Sequence, residues 1–174
     1  MSLKTVYLEL IERIKTNCTN VLTVTIWNNQ LNQIDDREQV QFDFPAVFFE
    51  MANTKVNQLG CNEQEYECDL IVHIVDKQYN NTDIDLFIDS NVDVFDLSNE
   101  VFNALQQFKP TKTNFLIREN EEQDYEFTNL YHLKQTYKLV TMMDKLNTDI
   151  EVTADLVLNS DLKIDNLTFR TGTL

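Results

Sequence analysis

The strongest constraint on the fold lies between residues 42 and 108, where two strand-like apolar runs are followed by one long amphipathic run. The first run is Phe44-Pro45-Ala46-Val47-Phe48-Phe49-Glu50-Met51, and Pro45 suits a strand start, where a missing N–H is tolerated. The second, Tyr66 to Val75, alternates with period two. Cys68, Leu70, Val72 and Ile74 share one face, and Glu67, Asp69, Ile71, His73 and Val75 the other. That second face is acidic at one end and apolar at the other, so a partial cover is expected. The spacing predicts a helix over Val92–Phe108, with Val94, Leu97, Val101, Ala104, Leu105 and Phe108 on one stripe. Phe95 and Phe102 widen that stripe, and Lys109-Pro110 stops it.

The flanking segments complete the pattern. Leu3, Val6, Tyr7, Leu10 and Ile14 recur at helical spacing, so a short helix ends near Asn17. Val21 to Trp27 is β-branched and reads as a strand, and the polar Asn28–Gln41 as a loop. Asn53 to Glu63 is expected to extend the strand around Val47 and then turn at Leu59-Gly60. Thr113–Arg118 reads as a short strand, and Glu119 to Asp124 as a solvated hairpin loop. Leu130 to Met143 alternates again, with Leu133, Gln135, Tyr137 and Leu139 opposed to His132, Lys134, Thr136 and Lys138.

The resulting class is α+β: a mostly antiparallel sheet with two helices packed on one face, long hairpin loops and a C-terminal extended arm. Residues 1–146 form one domain. Residues 147–174 differ in character, with Asp and Asn interleaved with isolated apolar residues. They are read as an extended arm, with Ile150, Val152, Leu156 and Leu158 as inter-subunit contacts, or as a mobile tail or extra hairpin.

Charge and composition narrow the functional classes. Fourteen Lys and Arg stand against 29 Asp and Glu, a net charge of -15. Affinity for a nucleic-acid backbone comes from cations, so this chain is a poor phosphate binder. With Gly 2 in total, the glycine-rich loops that cradle nucleotides have no counterpart. Cys18, Cys61 and Cys68 make no even-numbered disulfide framework. The N-terminus lacks the apolar core of a signal peptide, and no run approaches the roughly 18 residues of a membrane span.

Chemical motifs are weak. Asp89, Asn91, Asp93 and Glu100 match calcium-loop positions 1, 3, 5 and 12, but Val94 stands where glycine is needed, and Ser90, Asn91 or Asp93 serves equally as a helix cap. Cys61, Cys68 and His73 lack metal-ligand spacing, and alternation sends Cys68 and His73 to opposite faces. His132 lies on another strand, and two histidines offer little material for a nucleophilic triad. No catalytic, cofactor-binding or metal-binding residue is assigned, and the expectation is a non-enzyme without cofactors.

The element order from Leu3 to Lys145 nevertheless resembles one family. The N-terminal helix, the Phe44-Pro45-Ala46-Val47-Phe48-Phe49-Glu50 run, the strand at Leu70–Val75, the helix at Val92–Phe108 and the closing strand through Tyr137-Lys138-Leu139-Val140 carry it. Together they are similar to the tail terminator and tail-completion (neck ring) proteins of tailed bacteriophages, of the lambda tail terminator type. The resemblance implies a structural virion protein, made in the bacterial cytoplasm, that forms a homo-oligomeric ring of six or more copies. Such a ring caps the tail tube and joins it to the head or connector, and DNA passes through without being bound. It implies no catalytic residues. Glu119, Glu121, Glu122 and Asp124 are then candidates for an assembly or lumen loop, since an acidic bore repels phosphates. The alternative from a different class is an acidic inhibitor or DNA mimic that binds a basic host protein.

Overall fold

The computed structural model describes residues 3–33, 42–60, 63–77, 84–127 and 130–144. Two helices and five strands follow in the order α1 (Leu3–Asn17), β1 (Thr23–Ile26), β2 (Ala46–Gln58), β3 (Glu63–Lys77), α2 (Ile84–Leu105), β4 (Arg118–Asp124) and β5 (Leu130–Asp144). The strands form a single sheet in the order β1-β2-β3-β5-β4. The class is α+β, with a mixed, mostly antiparallel sheet.

Alternation in the strands decides which face the helices cover. Val47 and Phe49 of β2, Cys68, Leu70, Val72 and Ile74 of β3, and Leu133, Tyr137 and Leu139 of β5 point to one side. There they meet Val6, Leu10 and Ile14 of α1 and Val94, Leu97, Val101, Ala104 and Leu105 of α2. Both helices therefore pack on one face, as their stripes require. Burying side chains of this size contributes about 1.5–3 kcal/mol each, so this layer is the main source of stability.

Among the described residues the opposite face is covered at one end only, as the composition of β3 implied. Leu31, Ala46, Phe48 and Val75 form a second, smaller cluster with Trp27, Phe42, Phe44, Phe127 and Leu130 around it. The cover exists because β1 pairs with β2 in parallel, Val24 opposite Val47. Parallel neighbours need a crossover, and of the chain that joins these two the described residues Trp27, Leu31, Phe42 and Phe44 pack on this face, with a 3-10 turn at Gln30–Gln33. Phe44-Pro45 is a cis peptide. The polar segment Asn28–Gln41 is thus more than a loop where it is described.

Four boundaries differ from the sequence expectation. Helix α2 begins at Ile84 rather than Val92, because Ile84 and Phe87 extend the spacing that carries Val94, Leu97 and Val101. Ser90, Asn91 and Asp93 are therefore interior helical residues and not caps. The helix ends at Leu105 rather than Phe108: Gln107 adopts a left-handed φ of 61° and donates its N–H to Leu116 O at 2.8 Å. Phe95 does not widen the buried stripe but is 46% exposed, and Ser98 is buried instead.

The third and fourth boundaries concern β4. Thr113 makes only an isolated bridge to Thr141, and the strand proper starts at Arg118. The run Glu119 to Asp124 is the edge strand itself and not a hairpin loop. An edge strand needs partners on one side only, and charged residues suit it because they discourage further pairing. Hairpin length is correspondingly carried by the strands, with β2 meeting β3 across residues 59–62. The expected turn at Leu59-Gly60 is present, and a bulge between Ala52 and Lys55 places Asn53 at a φ of 51°.

Candidate functional site

Pairing with β5 divides the acidic run between the two faces of the sheet. Glu121 lies opposite Gln135, Glu122 opposite Lys134 and Asp124 opposite His132. Since Gln135 is buried under the helices, Glu121 belongs to that side, where it pairs with Arg118 and approaches Ser98 Oγ at 3.4 Å. Glu122 and Asp124 belong to the other side, and Glu119 sits in the bulge between Arg118 and Asn120. Glu119, Glu121 and Glu122 are exposed, whereas Asp124 is partly buried. The four carboxylates therefore do not make one patch. The arm residues Ile150, Val152, Leu156 and Leu158 lie outside the described residues, as does all of 147–174.

Asp124 belongs to a different constellation, one that sequence reasoning set aside. His73 on β3 and His132 on β5 are 3% and 1% exposed, and His73 Nδ1 lies 2.9 Å from His132 Nε2. Outward from this contact, His73 Nε2 is 2.9 Å from Glu50 Oε2 on β2. On the other side His132 Nδ1 is 3.5 Å from Asp124 Oδ2, which Lys134 Nζ holds at 2.6 Å. Trp27 stacks on the His73 ring at 4.0 Å and 6°. A polar chain thus runs diagonally across four strands beneath the Trp27 cover.

The electrostatics follow from this placement. Burial pushes both imidazoles down to about 4, helped in each case by the nearby Lys134 ammonium. The Glu50 carboxylate favours a charged His73, but its side chain is 36% exposed and screened by water. Lys134, foremost, holds the Asp124 carboxyl below its ordinary range.

Protons can then be assigned by elimination. Glu50 as a carboxylate accepts from His73 Nε2–H, so the neutral His73 must accept at Nδ1 from His132 Nε2–H. His132 Nδ1 is left with a lone pair toward Asp124 and has no hydrogen-bond partner. The arrangement can hold or pass a proton.

The other candidates separate. The calcium-loop residues Asp89, Asn91, Asp93 and Glu100 are strung along α2, which removes the loop that calcium needs. Cys68 faces the helices and His73 the cover, as alternation required, and Cys61 lies outside the described residues. Burial, with Asp69 nearby, pushes the Cys68 thiol up to about 11. Among the described residues no group of three His, Cys, Asp or Glu could hold a metal ion. Acidic side chains also concentrate elsewhere: Asp76, Asp93, Asp96 and Glu100 line a cleft beside Pro45, where burial raises the Asp76 carboxyl.

The signal for the histidine pair was present in the alternation, since His73 and His132 both fall on the face away from the apolar stripe. What was missing was the neighbour relation of β3 and β5, which α2 and β4 separate in sequence. Comparisons with models of known protein families and with curated proteins find no match.

Proposed function

We propose that this chain is a structural virion protein that assembles as a ring at the head–tail junction of a tailed bacteriophage, as a tail terminator or neck connector. The observation that supports the reading is the architecture: one sheet, both helices on one face, and an acidic edge strand with no strand on its outer side among the described residues. The ring of six or more copies caps the tail tube and contacts neck, connector or tail-tube proteins. Residues 147–174 serve as the arm between subunits through Ile150, Val152, Leu156 and Leu158. Glu119, Glu121 and Glu122, with the rest of the net charge of -15, keep DNA moving through the bore without binding it. Assembly carries the function, and no reaction is assigned.

The test is the native mass of the purified protein, by native mass spectrometry, with and without the residues after Asn147. A cyclic oligomer of six or more copies that weakens on truncation supports the ring and the arm. A monomer at all concentrations, including when mixed with tail-tube or connector protein, overturns it. That outcome favours the acidic inhibitor, which works as a monomer against a basic partner. Among the described residues no helix is long and apolar enough to cross a membrane.

A further inference from the structure

The chain between α2 and β4 presents an apolar edge that the fold itself does not use. The N–H groups of Asn114, Leu116 and Arg118 bond inward, to Val140 O at 3.1 Å, Phe108 O at 2.9 Å and Gln106 Oε1 at 3.1 Å. The intervening Phe115 and Ile117 N–H groups bond to no described residue. Both side chains are 56% exposed, and with Gln107 they line a groove of about 370 Å³. An open backbone edge beside exposed apolar side chains is a template for a further strand. We propose that residues 150–158 of one subunit add as a strand along Phe115–Ile117 of a neighbouring subunit. This docking rests on the ring reading and gives its arm a landing surface.

Three observations select this occupant. The first is pattern: Ile150, Val152, Ala154, Leu156 and Leu158 alternate with mostly polar residues, the period that sets one apolar row on one face of a strand. That row matches a groove whose own exposed side chains are apolar.

The second is charge. Lys109 Nζ lies 5.2 Å from the centre of the Phe115 ring, and Arg118, paired with Glu121, stacks on Phe102 at 4.0 Å. In a chain of net charge -15 these two cations rim the groove, and they suit Glu151 and Asp155 of the incoming segment. Beyond Arg118 the edge turns acidic, with Glu119 and Glu122 exposed. An acidic strand is therefore confined to the apolar stretch.

The third is where the chain leaves the sheet. Met142 N–H donates to Lys112 O at 3.3 Å, and Thr113 bridges Thr141 antiparallel. Strand β5 thus ends at Asp144 beside this segment and runs opposite to it. A return to the same chain's groove has to reverse within residues 145–149 and clear Lys109–Lys112, whereas an arm that continues outward meets a second copy.

The test replaces Phe115 in the full chain by the photoreactive p-benzoylphenylalanine. Isotope-labelled and unlabelled proteins are mixed at low concentration, concentrated, irradiated and digested. The expected cross-link joins position 115 to residues 150–158, with labelled and unlabelled peptides joined to each other. Cross-links to another segment, cross-links only between peptides of the same label, or none at all overturn the docking. Native mass of the same sample separates this failure from that of the ring reading. A ring with cross-links elsewhere overturns the docking alone, and a monomer overturns both. Ile117→Ser gives an independent reading at an exposed position. It is expected to leave the urea midpoint in place and to raise the concentration for half assembly about tenfold. Unchanged assembly of that variant overturns the docking.

Discussion

Arg13 Nε on α1 donates to the Ala104 carbonyl in the last turn of α2 at 2.8 Å, and its guanidinium lies 5.1 Å from the centre of the Phe108 ring. The last carbonyls of a helix have no partners within it and carry the negative end of its dipole. A planar cation satisfies both demands while its other side stacks on an aromatic ring. Replacing Arg13 by Ala is expected to cost about 1–2 kcal/mol, read as a lower urea midpoint. Arg13→Lys should recover only part of it, since an ammonium lacks the fork geometry. Equal stability of all three proteins would show that the helix–helix contact is purely apolar.

Gln135 is completely buried under α2 and works as a junction. Its Nε2 donates to Ser98 O at 2.8 Å and to Ser98 Oγ at 2.7 Å, and its Oε1 accepts from Tyr137 Oη at 2.7 Å. Gln135→Leu leaves the Tyr137 hydroxyl and the Ser98 groups without this partner, at an expected cost of about 2–4 kcal/mol. The double variant Gln135→Leu/Tyr137→Phe removes one of those orphans. It should be less destabilised than the sum of the two single changes, as a thermodynamic cycle from chemical denaturation will show.

Stability should fall on acidification in a defined window. His73 and His132 titrate in the folded protein near 4, against an ordinary 6.5. The unfolded chain therefore binds more protons between these values, and unfolding is favoured as pH drops through them. The stabilisation is complete above about 6.5 and is lost progressively toward 4, on the order of 3 kcal/mol for one ring. Urea midpoints measured at intervals from pH 7.5 to pH 4 should show this slope, and His132→Gln should flatten it. A slope confined below pH 4 would assign acid sensitivity to carboxylates instead.

The acidic edge should act against uncontrolled pairing. Glu119 and Glu122 are exposed on β4, whose outer side has no strand beside it among the described residues. Changing both to Thr should leave the urea midpoint nearly unchanged, within about 0.5 kcal/mol. The same change should increase large, open-ended species in light scattering, because a neutral β-branched edge invites another strand. Unchanged scattering at high concentration would show that the charge does not protect this edge.

Periodicity determined much of this protein by itself. The stripe of Val6, Leu10 and Ile14, the alternation from Cys68 to Ile74 and that from Leu133 to Leu139 each depend on local spacing, and each appears in the core as read. The class and the shared helical face follow from those patterns. Composition alone was less instructive about Glu119 to Asp124, because a charged edge strand and a solvated loop differ only in whether a neighbour supplies hydrogen bonds. The parallel pairing of β1 with β2, the cover it creates, and the meeting of His73 with His132 were decided by tertiary structure. Their physical reason is the same. Each depends on which strands become neighbours after the chain crosses over or inserts, and side-chain spacing along one strand carries no record of that choice.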